Sequence, residues 1–219
     1  MGIISLERVD NLIWLGRYSE RVYLTIKEFF HCYDDMLDDP STYQTYCRNL
    51  QIPMIYNDPI DFVERYVSDE TVPDSLLANL YRAYDNCIVL RNEIGTETMT
   101  YLELALNELK SIKDFDSFLL DLQLVIDHIL AFWACLSENV EDYDVRDIIK
   151  LGQRQERLDM YLRLRKGKKD VVKAFNSLEH RLHKTILPFD FSKMDLLKKE
   201  VFSDSIHYAE CIQCVEGLL

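Results

Sequence analysis

Residues 11–26, NLIWLGRYSERVYLTI, lie over residues 147–162, DIIKLGQRQERLDMYL, without a gap. Leu15, Gly16, Glu20 and Arg21 recur as Leu151, Gly152, Glu156 and Arg157, with apolar residues at matched places on both sides. On a helical wheel of the first copy, Leu12, Leu15, Tyr18, Ser19, Val22, Ile26 and Phe29 share one broad face, the usual core stripe. Arg17, Glu20 and Arg21 fall on the other side with Ile13 and Leu24, a mixture of charge and aliphatics that fits partial burial. Side chains at i and i+1 do not face each other on a helix. Glu20 therefore cannot satisfy Arg21, nor Glu156 satisfy Arg157. Two such helices crossing in the centre of the molecule would instead pair Glu20 with Arg157 and Glu156 with Arg21. Gly16 and Gly152 would permit the close backbone approach.

The chain around these copies reads as helical. Six glycines and five prolines in 219 residues leave few breaks. One long helix is expected over 5–37, ending at the DDPST stretch around Pro40. Short helices are expected over 41–72. Pro73 is expected in the first turn of a second long helical region, which Gly95 bends. Further helices are expected over 115–138, 143–166 and 169–186, followed by one or two more after LPFDF. RKGKKD, at 165–170, reads as a solvated loop. No segment alternates as a strand does. The expectation is an all-α, multi-helix bundle of about six to eight helices with two related central helices. It is read as a single helical domain over 1–219.

A formal net charge of −13 disfavours nucleic acid and anionic membranes as partners. The N-terminal MGIISLERVD has no secretory pattern, and Leu6 stands where an N-myristoylation signal needs Ser or Thr. ILAFWACL is too short to span a bilayer on its own. These features give a cytoplasmic expectation. The cysteines at 32, 47, 87, 135, 211 and 214 read as reduced, mostly buried thiols.

NLIWLGRYSER and LGQRQERLDMYLRL resemble the two hallmark segments of the alpha-E family of bacterial, predominantly helical proteins. The middle segment is similar to a third, with matching positions at Leu80, Asn86, Arg91, Ile94 and Glu97. A Glu-x-x-Arg expected there falls on Asp85 and Ile88, so the acid is shortened and the arginine missing. The resemblance implies partners that are ATP-grasp ligase-like and transglutaminase-like proteins, and a place in peptide synthesis or modification.

Sharper chemistry is thinner. A di-iron bundle wants two Glu-x-x-His motifs; Glu28 and His31 supply one, and Asp204 and His207 come nearest to a second. His207, Cys211 and Cys214 stand at i, i+4 and i+7, which could place metal ligands on one helix face. Such spacing is common in plain cores, so no metal and no cofactor is expected. His180 and His183 read as solvated. There is no nucleophile elbow, P-loop or dinucleotide fingerprint. Whether the chain is an enzyme stays open, and so does homo-oligomer formation. The leading expectation is an accessory, scaffold or ligand-binding protein of an ATP-grasp-linked peptide system. The alternative is an enzyme whose site is a charged cluster of Arg17, Glu20, Arg21, Asn86, Arg91, Glu97, Glu156 and Arg157, with carboxylates as acid and base and arginines holding an anion.

Overall fold

The computed structural model describes residues 5–113 and 117–219. The first four residues of the N-terminal segment and the start of the helix expected at 115 lie outside them. Helix α1 runs Leu6–Asp38, opened by Ser5, whose hydroxyl accepts from the Arg8 amide at 3.3 Å. A short 3-10 helix, Pro40–Thr42, leads into α2 (Tyr43–Leu50) and α3 (Pro59–Ser68). Then follow α4 (Leu76–Val89), α5 (Arg91–Ile94), α6 (Thr96–Ser111) and α7 (Phe118–Asn139). The chain closes with α8 (Tyr143–Arg163), α9 (Lys168–Leu182), α10 (Phe191–Phe202) and α11 (Tyr208–Glu216). The described residues are all-helical, with no strand.

The eleven α-helices among the described residues exceed the expected six to eight. The excess has local causes. Residues 43–68 form two helices, and the region after Pro73 breaks into three. Pro73 is not in a first turn, because Ser75 caps α4, its hydroxyl accepting from the Ala78 amide at 3.0 Å. Gly95 does more than bend the region: at φ +79 it adopts a backbone that L side chains rarely reach, and α5 ends there. Helix α8 stops at Arg163, three residues short of the expected end, where Arg165 takes a positive φ. Lys168 and Lys169, read as loop, begin α9.

Helix α1 packs most extensively on α8 and next on α4, while α6 pairs with α7. Two apolar cores meet at α8. The larger gathers Leu12, Leu15, Phe29, Phe62, Tyr66 and Leu80 with Ile148 and Ile149. The smaller joins Leu151, Leu158 and Leu162 to Phe175, Leu197 and Val215. Helix α8 is thus apolar toward both sides, and its charged residues must be satisfied in between. Burying polar groups there requires hydrogen-bond partners.

ILAFWACL lies inside α7, a 22-residue helix that is long and apolar enough to cross a membrane by length and composition. One face packs on α6 and α1. On the other, Leu120, Leu124 and Leu130 are 73%, 45% and 48% exposed. The six cysteines are free thiols, five buried and Cys135 half-buried.

Candidate functional site

The α1–α8 crossing is reciprocal to the residue. A Cβ on Gly16 would overlap the Ile149 carbonyl oxygen and stand 2.8 Å from the Gln153 amide nitrogen. A Cβ on Gly152 would overlap the Ile13 carbonyl oxygen and stand 2.9 Å from its carbon. Both obstacles are backbone and cannot swing away. Hydrogen in place of a side chain is what lets the helices touch.

One turn further on, the charges interlock. Glu20 is fully buried; its Oε1 accepts from Arg157 Nε at 2.5 Å and its Oε2 from Gln153 Nε2 at 3.0 Å. Glu156 is equally buried; its Oε2 accepts from Arg17 Nε at 2.8 Å and its Oε1 from Arg21 Nε at 2.5 Å. Arg17 also lies over the Trp14 ring, 4.7 Å from its centroid. The spacing-based pairs Glu20–Arg157 and Glu156–Arg21 are therefore present. Tyr18, placed on the core stripe, is only half-buried and lies under the Arg82 guanidinium.

The two carboxylates titrate in opposite directions. Burial pushes Glu20 up from its usual range, and the Arg157 charge and its hydrogen bond offset this only in part. Glu156 suffers the same burial, but the Arg21 and Arg17 charges together overcome it and hold its carboxyl below the usual range. Arg157, although desolvated, is raised by Glu20.

Three residues assigned to the cluster stand elsewhere. Asn86 is half-buried on α4 and donates Nδ2 to the Arg82 carbonyl at 2.7 Å. Arg91 is exposed and donates Nε to Thr96 Oγ1 at 3.2 Å. Glu97 is exposed and accepts from Asn139 Nδ2 at 3.0 Å. The helix break at Gly95 carries this corner of the chain away from the crossing. Asp85 and Ile88 are exposed as well, so the position lacking the expected arginine faces solvent.

Sequence reasoning missed Asp159 and Arg163, one and two turns beyond the crossing glutamates on α8. Asp159 is fully buried, and its Oδ2 accepts from Arg163 Nε at 2.7 Å while Oδ1 has no hydrogen-bond partner among the described residues. Burial, and then the neighbouring Glu156 charge, push its carboxyl up. The i, i+4 Asp–Arg spacing was the available signal. Arg163 also donates to Gln51 Oε1 and Glu216 Oε1, at 2.6 and 2.5 Å. Beside this network lies a cavity of about 240 Å³, lined among others by Arg21, Arg163, Gln51, Asp74, Asn79 and Glu216.

The metal spacings come apart. Glu28 accepts from Lys166 Nζ at 2.5 Å, and His31 is exposed. His207 precedes α11 and sets its Nδ1 2.6 Å from Glu200 Oε2, whereas Cys211 and Cys214 are buried in the smaller core. Glu200, His207 and Glu210 do bring ligand atoms within 4.8 Å of one another, but two of the three are exposed. His180 and His183 are exposed, as expected.

A family model named Alpha-E, described as a predicted alpha-helical domain with a conserved ER motif, matches residues 7–187. No curated protein matches the chain, and no solved structure does. The sequence carries Glu-Arg at 7–8, 20–21, 64–65 and 156–157. The second and fourth of these are the ones that interlock.

Proposed function

Since the chain belongs to the Alpha-E family, we propose that it is a non-catalytic accessory protein of an ATP-grasp-linked peptide synthesis or modification system, holding an ATP-grasp ligase-like partner. A transglutaminase-like protein would be a second partner, and the assembly would be cytoplasmic. The observation that carries this reading is the closure of the crossing. Glu20 and Glu156, the groups an enzyme would use as acid and base, have no exposed surface, and each accepts two side-chain hydrogen bonds. A general base must reach the proton it takes. Among the described residues these carboxylates hydrogen-bond only to their arginines and Gln153. The reciprocity of the contacts also supports reading α1 and α8 as two related central helices whose ER dipeptides form a brace.

A brace gives rigidity, and an accessory protein then needs a surface. The exposed leucines of α7 are the apolar surface that supports a protein partner: Leu120 and Leu124 stand one turn apart, and Leu130 extends that surface round the helix. The test is affinity purification of the tagged full chain from its native host, with mass spectrometry of what co-elutes. An ATP-grasp ligase-like protein is expected, and Leu120→Ser, Leu124→Ser and Leu130→Ser combined should release it. Purification without any such ligase, or retention of the ligase by the triple variant, would overturn the reading.

A further inference from the structure

The cavity beside the crossing presents four charged groups, of which two are already committed. Arg163 spends Nε on Asp159, one Nη on Gln51 and the other on Glu216, which engages Glu216 in turn. The other two are open. Arg21 gives only Nε to Glu156, and its two Nη groups make no hydrogen bond among the described residues. Asp74, in the turn before α4, makes no hydrogen bond or ion pair among the described residues and is half-buried. One wall, on α1, thus offers the open end of a guanidinium fork, and another offers an unpaired carboxylate.

A further feature marks this place. Gln51, whose side chain fixes Arg163, adopts a left-handed backbone at φ 59, which is strained for a residue with a Cβ.

We propose that this cavity binds a small zwitterion with the backbone chemistry of a free α-amino acid or dipeptide, its carboxylate on the Nη fork of Arg21 and its ammonium on Asp74. A planar fork matches a carboxylate through two parallel hydrogen bonds. A ligand carrying only the anion leaves Asp74 desolvated without a partner, and one carrying only the cation leaves the Nη groups of Arg21 without an acceptor, its Nε being held by Glu156. Phosphate is disfavoured by the Asp74 and Glu216 carboxylates on the same walls. The volume, about 240 Å³, falls below the roughly 300–1,000 Å³ of sites for drug-sized molecules, which sets the scale at one or two residues. This assignment goes beyond the accessory role and does not depend on it, since that role is tested through the α7 leucines.

The experiment is calorimetric titration of the full-length protein with four probes: L-alanine, L-alanyl-L-alanine, N-acetyl-L-alanine and L-alaninamide. One or both zwitterions should bind, and removal of either charge should weaken binding at least about tenfold. Asp74→Asn does not touch the α1–α8 pairs; it should weaken the preferred zwitterion by about tenfold and leave N-acetyl-L-alanine unchanged. Arg21→Lys keeps the charge Glu156 needs but loses the fork, and should weaken every carboxylate-bearing probe. Circular dichroism confirms that each variant is folded. The inference is overturned if neither zwitterion binds up to about 10 mM, if N-acetyl-L-alanine or L-alaninamide binds as well as the zwitterions, or if Asp74→Asn binds like the parent.

Discussion

Glu20 and Glu156 occupy matched places in two helices, are buried alike and are each gripped by two side chains, yet their acidities move apart. The difference traces to one position. Where α1 has Arg17, α8 has Gln153, so Glu156 sits between two guanidiniums and Glu20 between a guanidinium and a neutral amide. A second positive charge decides whether burial or Coulombic attraction wins. Reciprocal contacts at a crossing do not give reciprocal electrostatics.

The largest effect should come from Glu156→Gln, which orphans the buried Arg17 and the half-buried Arg21 at once. Loss of one member of a buried pair typically costs about 3–5 kcal/mol, and chemical denaturation should return a value in that range. Glu20→Gln should cost markedly less, about 1 kcal/mol, because the fold already disfavours the ionised form there. Equal costs would break the comparison.

Next come Gly16→Ala and Gly152→Ala. At an ordinary helix position alanine gains about 1 kcal/mol over glycine; here backbone overlap should turn that into a net loss of about 1–3 kcal/mol. A gain at either glycine would mean that the helices do not touch as described. For the Glu20–Arg157 contact, a double-mutant cycle of Glu20→Gln and Arg157→Met should give a coupling of at least about 0.5 kcal/mol. Additivity of the two changes would remove that contact.

The finest test is pH. The Glu156 carboxyl lies below its ordinary value of 4.5 in the fold, so its contribution is present above that value and lost as pH falls through the folded one. The Glu20 carboxyl is raised, so its contribution is present below 4.5 and lost as pH rises through the folded value. The cost of Glu156→Gln should therefore grow as pH rises toward 4.5, and that of Glu20→Gln should shrink as pH rises above 4.5. Gln153→Arg should give Glu20 the surroundings of Glu156 and flatten the loss above 4.5. An unchanged profile would show that the Arg/Gln difference is not the cause.

Much of the crossing was legible in sequence. The ungapped match, the i, i+1 argument and the glycines led to the pairs Glu20–Arg157 and Glu156–Arg21, because helical registry translates spacing directly into facing. Placement failed where a helix is interrupted. Arg91 and Glu97 flank Gly95, whose positive φ redirects the chain, and sequence periodicity gives bends no angle. The cavity was invisible for another reason. Arg21, Gln51, Asp74, Arg163 and Glu216 come from α1, a loop, a turn, α8 and the end of α11, with no shared period. Only tertiary packing brings them together.

The side chains that close the crossing are separated by 133 to 139 residues in the chain. A ribosome adds about 5–20 residues per second, so α1 waits roughly 7–28 s for α8 to be made. Through that interval Arg17, Glu20 and Arg21 have no counterpart, and the apolar side chains of α1 that face α8 are uncovered. Seven helices can form in the meantime, but the longest cannot take its final seat. The nascent chain is therefore open at its centre until Arg157 has been translated, and any product cut short before Arg157 lacks half of the lock. The step that closes the centre of this molecule is therefore the synthesis of α8, and not that of any helix before it.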